Sequence, residues 1–128
     1  MTARVPGARD VALNEMNWRG LSINTAETAI TLVASDSGII FLQNYAIACT
    51  YTLPDVATGA GKMFMIVNVN TATSTVITST TALIKGTYTA GAAKTTITSG
   101  AMGDSVVIVG DGSYWYTMAG FKGAWTTA

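Results

Sequence analysis

From Leu21 onward the apolar side chains recur at every second position in short runs, and each run stops at a cluster of Gly, Asp, Asn or Ser. No other feature constrains this chain as much. Period-two alternation suits a strand with one face turned inward, and no internal stretch carries a convincing helical period. Residues 29–33 alternate and stop at Ser35, Asp36, Ser37 and Gly38, where the glycine is available for a positive φ. Residues 39–43 close at Asn44, and residues 48–53 end at Pro54 and Asp55. Past Gly59 and Gly61 comes the run 63–69, apolar in both phases, as expected of a central strand covered on each side. Shorter runs follow at 75–78, 82–85 and 95–98. Residues 105–109 and 114–118 flank Gly110, Asp111, Gly112 and Ser113, the composition of a hairpin. The tail, 120–128, holds Phe121 and Trp125 and reads either as a final strand or as a segment lying on a neighbouring subunit. The expected fold is all-β: a single compact antiparallel β-sandwich or β-barrel of about eight or nine short strands.

The first twenty residues, 1–20, are different. They hold every arginine of the chain (Arg4, Arg9, Arg19), whereas all later cations are lysines. The stretch 10–18 has room for two helical turns capped by Asp10, too short to stand alone in water. It reads as an extended N-terminal arm that becomes ordered by docking, with Trp18 as anchor, or as a terminus that frays. The domain proper then covers 21–128.

Composition narrows the function. Charged residues make up 11% of the 128, seven acidic against seven basic, against about 25% in ordinary soluble proteins. A net charge of zero argues against a partner that must be tracked through its phosphates, so no nucleic acid is expected. Histidine is absent and a single cysteine is present, which removes imidazole catalysis, an intrachain disulfide and multi-cysteine zinc sites. No run approaches the ~20 apolar residues of a membrane helix, and no signal peptide is evident. The polar quota is met by Thr and Ser instead of charge. Such a surface favours burial against copies of itself, the alternative being a solvated threonine face.

The carboxylates Asp36, Asp55, Asp104 and Asp111 sit at expected turns, where Asp bonds the backbone a few residues on. Asp104 and Asp111 bracket one strand, so they are not the close pair a glycosidase needs. The oxygen-rich alternation of a calcium loop is missing, and Cys49 reads as a small buried hydrophobe. The chain is therefore read as a non-enzyme, with no catalytic residue, metal site or cofactor. Tyr114 and Tyr116 fall on one strand face with Trp115 on the other. The two tyrosines, together with Trp125, are candidates for subunit-interface packing or for stacking on a sugar.

Three stretches taken together carry a resemblance. They are Asp36-Ser37-Gly38 before the strand 39–42; Thr50-Tyr51-Thr52-Leu53-Pro54 leading through Gly59 and Gly61 to 63–67; and Gly103-Asp104 before 105–109, with Asp111-Gly112-Ser113-Tyr114-Trp115-Tyr116 near the end. This succession resembles small capsid decoration (cement) proteins of tailed bacteriophages and related virion β-domains. The resemblance covers roughly 29–120 and rests on turn and packing features. It implies a structural protein made in the host cytoplasm and located on the outer capsid surface of the virion. There it would bind the major capsid protein as a homotrimer and stabilise the shell, without membrane or nucleic-acid contacts. Arg4, Arg9, Trp18 and Arg19 of the arm are the candidate capsid contacts. The alternative is a fibre-type carbohydrate- or receptor-binding module.

Overall fold

The computed structural model describes residues 18–71, 75–86, 89–118, 123 and 125–128. The strands are β1 (Gly20–Asn24), β2 (Ala29–Thr31), β3 (Ile39–Gln43), β4 (Cys49–Thr52), β5 (Met63–Asn68), β6 (Thr75–Thr78), β7 (Ile84–Gly86), β8 (Thr96–Ser99), β9 (Ser105–Gly110), β10 (Trp115–Thr117) and β11 (Trp125–Thr127). They form two sheets, one ordered β1-β3-β5-β9-β10-β7 and the other β11-β8-β6-β4-β2. The expected all-β class is therefore what the chain adopts, with eleven strands among the described residues where eight or nine were expected. The expected helix over 10–18 lies, but for Trp18, outside the described residues.

The antiparallel expectation needs correction, because both sheets are mixed. Between β1 and β6 the chain changes sheet at every strand, so odd strands stack in one sheet and even strands in the other. Successive strands of each sheet then run the same way: β1, β3 and β5 are parallel neighbours, as are β2, β4 and β6. The other parallel pair is β7 with β10. Antiparallel pairing joins β5 to β9, β9 to β10, β6 to β8 and β8 to β11. The expected 105–118 hairpin is the β9–β10 pair, and the tail supplies the final strand β11. Gly20–Asn24, by contrast, had been divided between arm and domain, and it is a paired strand.

Three amide side chains explain why the early strands coil instead of folding back. Asn24, Gln43 and Asn68 end β1, β3 and β5, lie opposite one another in register, and are all buried. Asn24 Oδ1 accepts from the backbone N–H of Ala26 (3.2 Å) and Glu27 (2.8 Å), and its Nδ2 donates to Glu27 O (2.8 Å). The other Nδ2 hydrogen reaches Gln43 Oε1 at 2.7 Å. That same oxygen accepts from the Tyr51 hydroxyl across the core at 2.8 Å, while Gln43 Nε2 donates to Ile47 O. Asn68 repeats the device, donating to Ser99 Oγ and Ala101 O and accepting from the Asn70 N–H. Each amide holds the backbone of the arch that follows its strand. That arch carries the chain across to the opposite sheet, where a hairpin would have returned it to the same one.

Most of the remaining core is apolar, although Thr75, Ser99, Asp104 and Thr117 are buried as well. Leu32, Tyr51, Leu53, Ile77 and Ile97 from the β2–β4–β6–β8 side meet Phe41, Phe64, Ile66, Val106, Ile108 and Trp115 from the other sheet. Phe41 and Tyr51 pack edge-on with centroids 6.0 Å apart, and Phe64 and Trp115 are 5.8 Å apart. The Trp115 ring fits because its neighbours have no side chain. A Cβ on Gly59 would fall 2.5 Å from two of its ring carbons, and one on Gly110 would strike both Gly59 O and the ring.

Replacing Gln43 with Leu leaves a buried Asn24 N–H and the Tyr51 hydroxyl without an acceptor, at about 1–3 kcal/mol each. Urea unfolding monitored by tryptophan fluorescence should show a loss of that size; an unchanged midpoint would remove the amide ladder from any structural role. Gly59→Ala overpacks the Trp115 pocket and should cost about 1–3 kcal/mol in the same measurement.

Candidate interaction surface

Side chains alternate across each strand, so the sheets have outer faces as well as the shared core. In the six-stranded sheet, register aligns Leu21, Ile40, Met65 and Val107 in one row on the side away from the shared core, with Val107 already buried within the chain. A second row runs Ile23, Leu42, Val67 and Ser105. The third is Met63, Val109, Tyr116 and Lys85. Lys85 stands at the β7 edge of this face, and the exposed Arg19 stands at the other edge, immediately before β1. Leu21 and Ile23 on the edge strand β1 remain 57% and 54% exposed.

The five-stranded sheet is the opposite case. Its outward rows are Thr31, Thr52, Thr78 and Thr96, and then Ala29, Thr50, Val76, Thr98 and Thr126. Threonine combines a β-branched fit to the pleat with a hydroxyl that water can satisfy. Threonines thus dominate the outward positions of one sheet, with Val76 among them, while Leu, Ile, Met and Val dominate those of the other.

The tyrosine pair lies at the far end of the apolar face. Tyr114 and Tyr116 share one side, as their alternation requires, with centroids 6.3 Å apart and rings inclined by 60°. Lys85 Nζ stands 4.1 Å from the centre of the Tyr114 ring, a cation–π contact. Asp111 Oδ1 accepts from the N–H of Ser113 (2.8 Å) and of Tyr114 (2.7 Å). These backbone bonds, with a further one from the Tyr116 hydroxyl, hold the Asp111 carboxyl below its ordinary range. Tyr116 is pushed upward by partial desolvation and by that carboxylate. The result is a tilted aromatic pair with a lysine on one ring and a turn aspartate beside the other.

The remaining candidate residues fall in different places. Arg4 and Arg9 lie outside the described residues. Trp18 is half-buried, and Arg19 is a clamp: its Nη1 donates to Ser35 O at 2.8 Å and Ser37 O at 2.7 Å, and its N–H to Gly38 O. Gly38 has φ 87°, the positive value anticipated for that turn. Trp125 is only 6% exposed and belongs to the core, so its ring faces the chain's own interior and offers no surface platform.

Asp36, Asp104 and Asp111 bond the backbone at turns as expected, whereas Asp55 precedes the short turn Val56–Thr58 without a side-chain cap bond. Asp36 Oδ2 accepts from Val33 N, and the buried Asp104 Oδ2 accepts from Ser99 Oγ at 2.7 Å and from the N–H of Gly100 and Ala101. Cys49 is fully buried, and loss of water followed by the nearby Glu27 carboxylate pushes its thiol up to about 11. Among the described residues no group of three or more His, Cys, Asp or Glu could hold a metal, and no helix is long and apolar enough to cross a membrane. No protein-family model matches the chain, and no curated protein matches it either.

Sequence reasoning anticipated the tyrosine face but missed the apolar sheet face. A signal was available in the second phase of each strand: Leu21 and Ile23, Ile40 and Leu42, and Met63, Met65 and Val67 are all apolar where a solvated sheet would carry polar residues.

Cys49 gives a pH prediction. An unfolded thiol ionises near 9.0, whereas in the fold it holds its proton up to about 11. Stability from this group is therefore complete below pH 9 and is lost as the pH climbs to about 11. Melting temperatures across that window should fall, and fall less in Cys49→Ala. At pH 8 the native thiol should resist iodoacetamide and react only on unfolding.

Proposed function

We propose that this chain is a structural virion protein, a homotrimer that decorates an icosahedral phage capsid and stabilises it by binding the major capsid protein. In this reading the two sheets form a compact β-sandwich whose role is adhesive. The observation that carries the proposal is the outer face of β1, β3 and β5, where Leu21 and Ile23 are more than half exposed beside the half-buried Ile40, Leu42, Met65 and Val67. A monomeric protein exposes such a contiguous apolar patch seldom, and then usually to dock something. Sequence resemblance to decoration proteins, in the turn motifs around Gly38, Pro54 and Asp111, points the same way. Arg4, Arg9 and Trp18 are the proposed capsid contacts, and Arg19 supports them from its clamp on the Ser35–Ser37 carbonyls. Three arms on one trimer would bind by avidity, so each contact need only be weak.

Cryo-electron microscopy of capsids with and without the purified chain tests this directly: density should appear on the outer surface and capsids should withstand higher temperature. The paired change Arg4→Glu and Arg9→Glu should abolish that density while leaving the melting curve of the free chain unchanged. Capsids that bind none of the wild-type chain would dispose of the proposal.

The tyrosine pair favours one other reading, a fibre-type carbohydrate-binding module. Two tyrosines with an adjacent lysine and aspartate are a suitable set for a sugar, although the 60° inclination gives no single flat platform. Glycan-array binding that vanishes in Tyr116→Ala would favour it over decoration.

A further inference from the structure

We infer that β1 is a releasable strap, hinged at Asn24 and latched by Arg19, that leaves the edge of its sheet while the rest of the domain stays folded. Its core-side positions are Gly20, Ser22 and Asn24, aligned with Ile39, Phe41 and Gln43 of β3. Phe41 and Gln43 are buried and Ile39 packs against the core, but Gly20 has no side chain to insert and Ser22 is exposed. The apolar residues of the strand, Leu21 and Ile23, point the other way and are more than half exposed. The core cluster therefore draws no residue from β1. A Cβ added at Gly20 would meet nothing within 4 Å, so the strand is loosely seated even at its start. It also pairs on one flank only, with β3. A segment with few buried apolar contacts and a backbone paired on one side opens at much lower cost than the whole fold.

What holds the strap sits at its two ends. At one end the buried Asn24 is fixed by its bonds to Gln43 and to the backbone of Ala26 and Glu27, which makes it the hinge. At the other end Arg19 is the latch. Its guanidinium donates to Ser35 O and Ser37 O and its N–H to Gly38 O, so one residue holds three carbonyls of the link between β2 and β3. Gly38 lets the side chain lie against it: a Cβ there would come within 3.3 Å of Arg19 Cγ and Cδ. The guanidinium stays charged at any working pH and its acceptors are backbone carbonyls, so pH does not undo the latch. Between latch and hinge, residues 20–23 are held by backbone pairing alone. Their release removes no side chain from the core.

Hydrogen exchange of the full chain, followed residue by residue by NMR, tests this. In the wild type, the Arg19 amide and the β1 amides bonded to β3 should be at least about 100-fold less protected than the amides of β5 and β9. Low urea should leave their exchange almost unchanged, because a local opening exposes little new surface. Arg19→Ala removes two bonds from a charged donor and should speed the same β1 amides about tenfold more, with β5, β9 and the urea midpoint unaffected. Amides of β1 as protected as those of β5, or quickened by urea in parallel with them, would overturn the inference, since the strand would then open only with the whole domain. An Arg19→Ala chain in which β5 and β9 quicken along with β1, or one that fails to fold, would overturn it as well. Unchanged β1 exchange in that variant would also count against it, for Arg19 would then latch nothing.

Discussion

The hydrogen bonds made by Asn24, Gln43 and Asn68 set the topology of this protein. A buried amide at the end of a strand must satisfy both its oxygen and its two hydrogens, since each orphan costs more than a made bond returns. Here the partners are the backbone of the next arch, the neighbouring amide and the Tyr51 hydroxyl. Meeting those demands bends the chain across to the opposite sheet after β1, β3 and β5. Parallel pairing within each sheet follows directly.

That coil also decides which side chains meet solvent. Because β1, β3 and β5 enter one sheet and β2, β4 and β6 the other, any difference in composition between them becomes a difference between two faces. Leu, Ile, Met and Val in the second phase of β1, β3, β5 and β9 produce an apolar exterior; Thr in β2, β4, β6 and β8 produces a hydroxylated one. The fold is thus amphipathic at the scale of the whole molecule.

Much of the local structure was legible because alternation and turn chemistry act over a few residues. Residues 39–43 and 75–78 form strands within the very bounds the pattern indicated, and Asp111 closes its turn through the two following N–H groups, as a turn aspartate should. Strand β1 was less clear, since Gly20–Asn24 has no turn cluster before it and adjoins the arginine-bearing segment. Trp125 could not be placed because a short Gly/Ala/Thr tail packs equally well on its own chain or a neighbour's. The register opposite Ser99 brings it into the core.

The sequence by itself determined an all-β chain, the positions of its inner strands such as β3 and β6, the turns of Asp36, Asp104 and Asp111, and the buried cysteine, since each depends on interactions among near neighbours. Whether adjacent strands run parallel or antiparallel was decided only in three dimensions, as were the alignment of the three amides, the closure of Gly59 and Gly110 around Trp115, and the sorting of threonine from aliphatic residues onto separate faces. These depend on which distant segments come side by side. Period two is the same for a strand in either direction, so alternation carries no information about its neighbour.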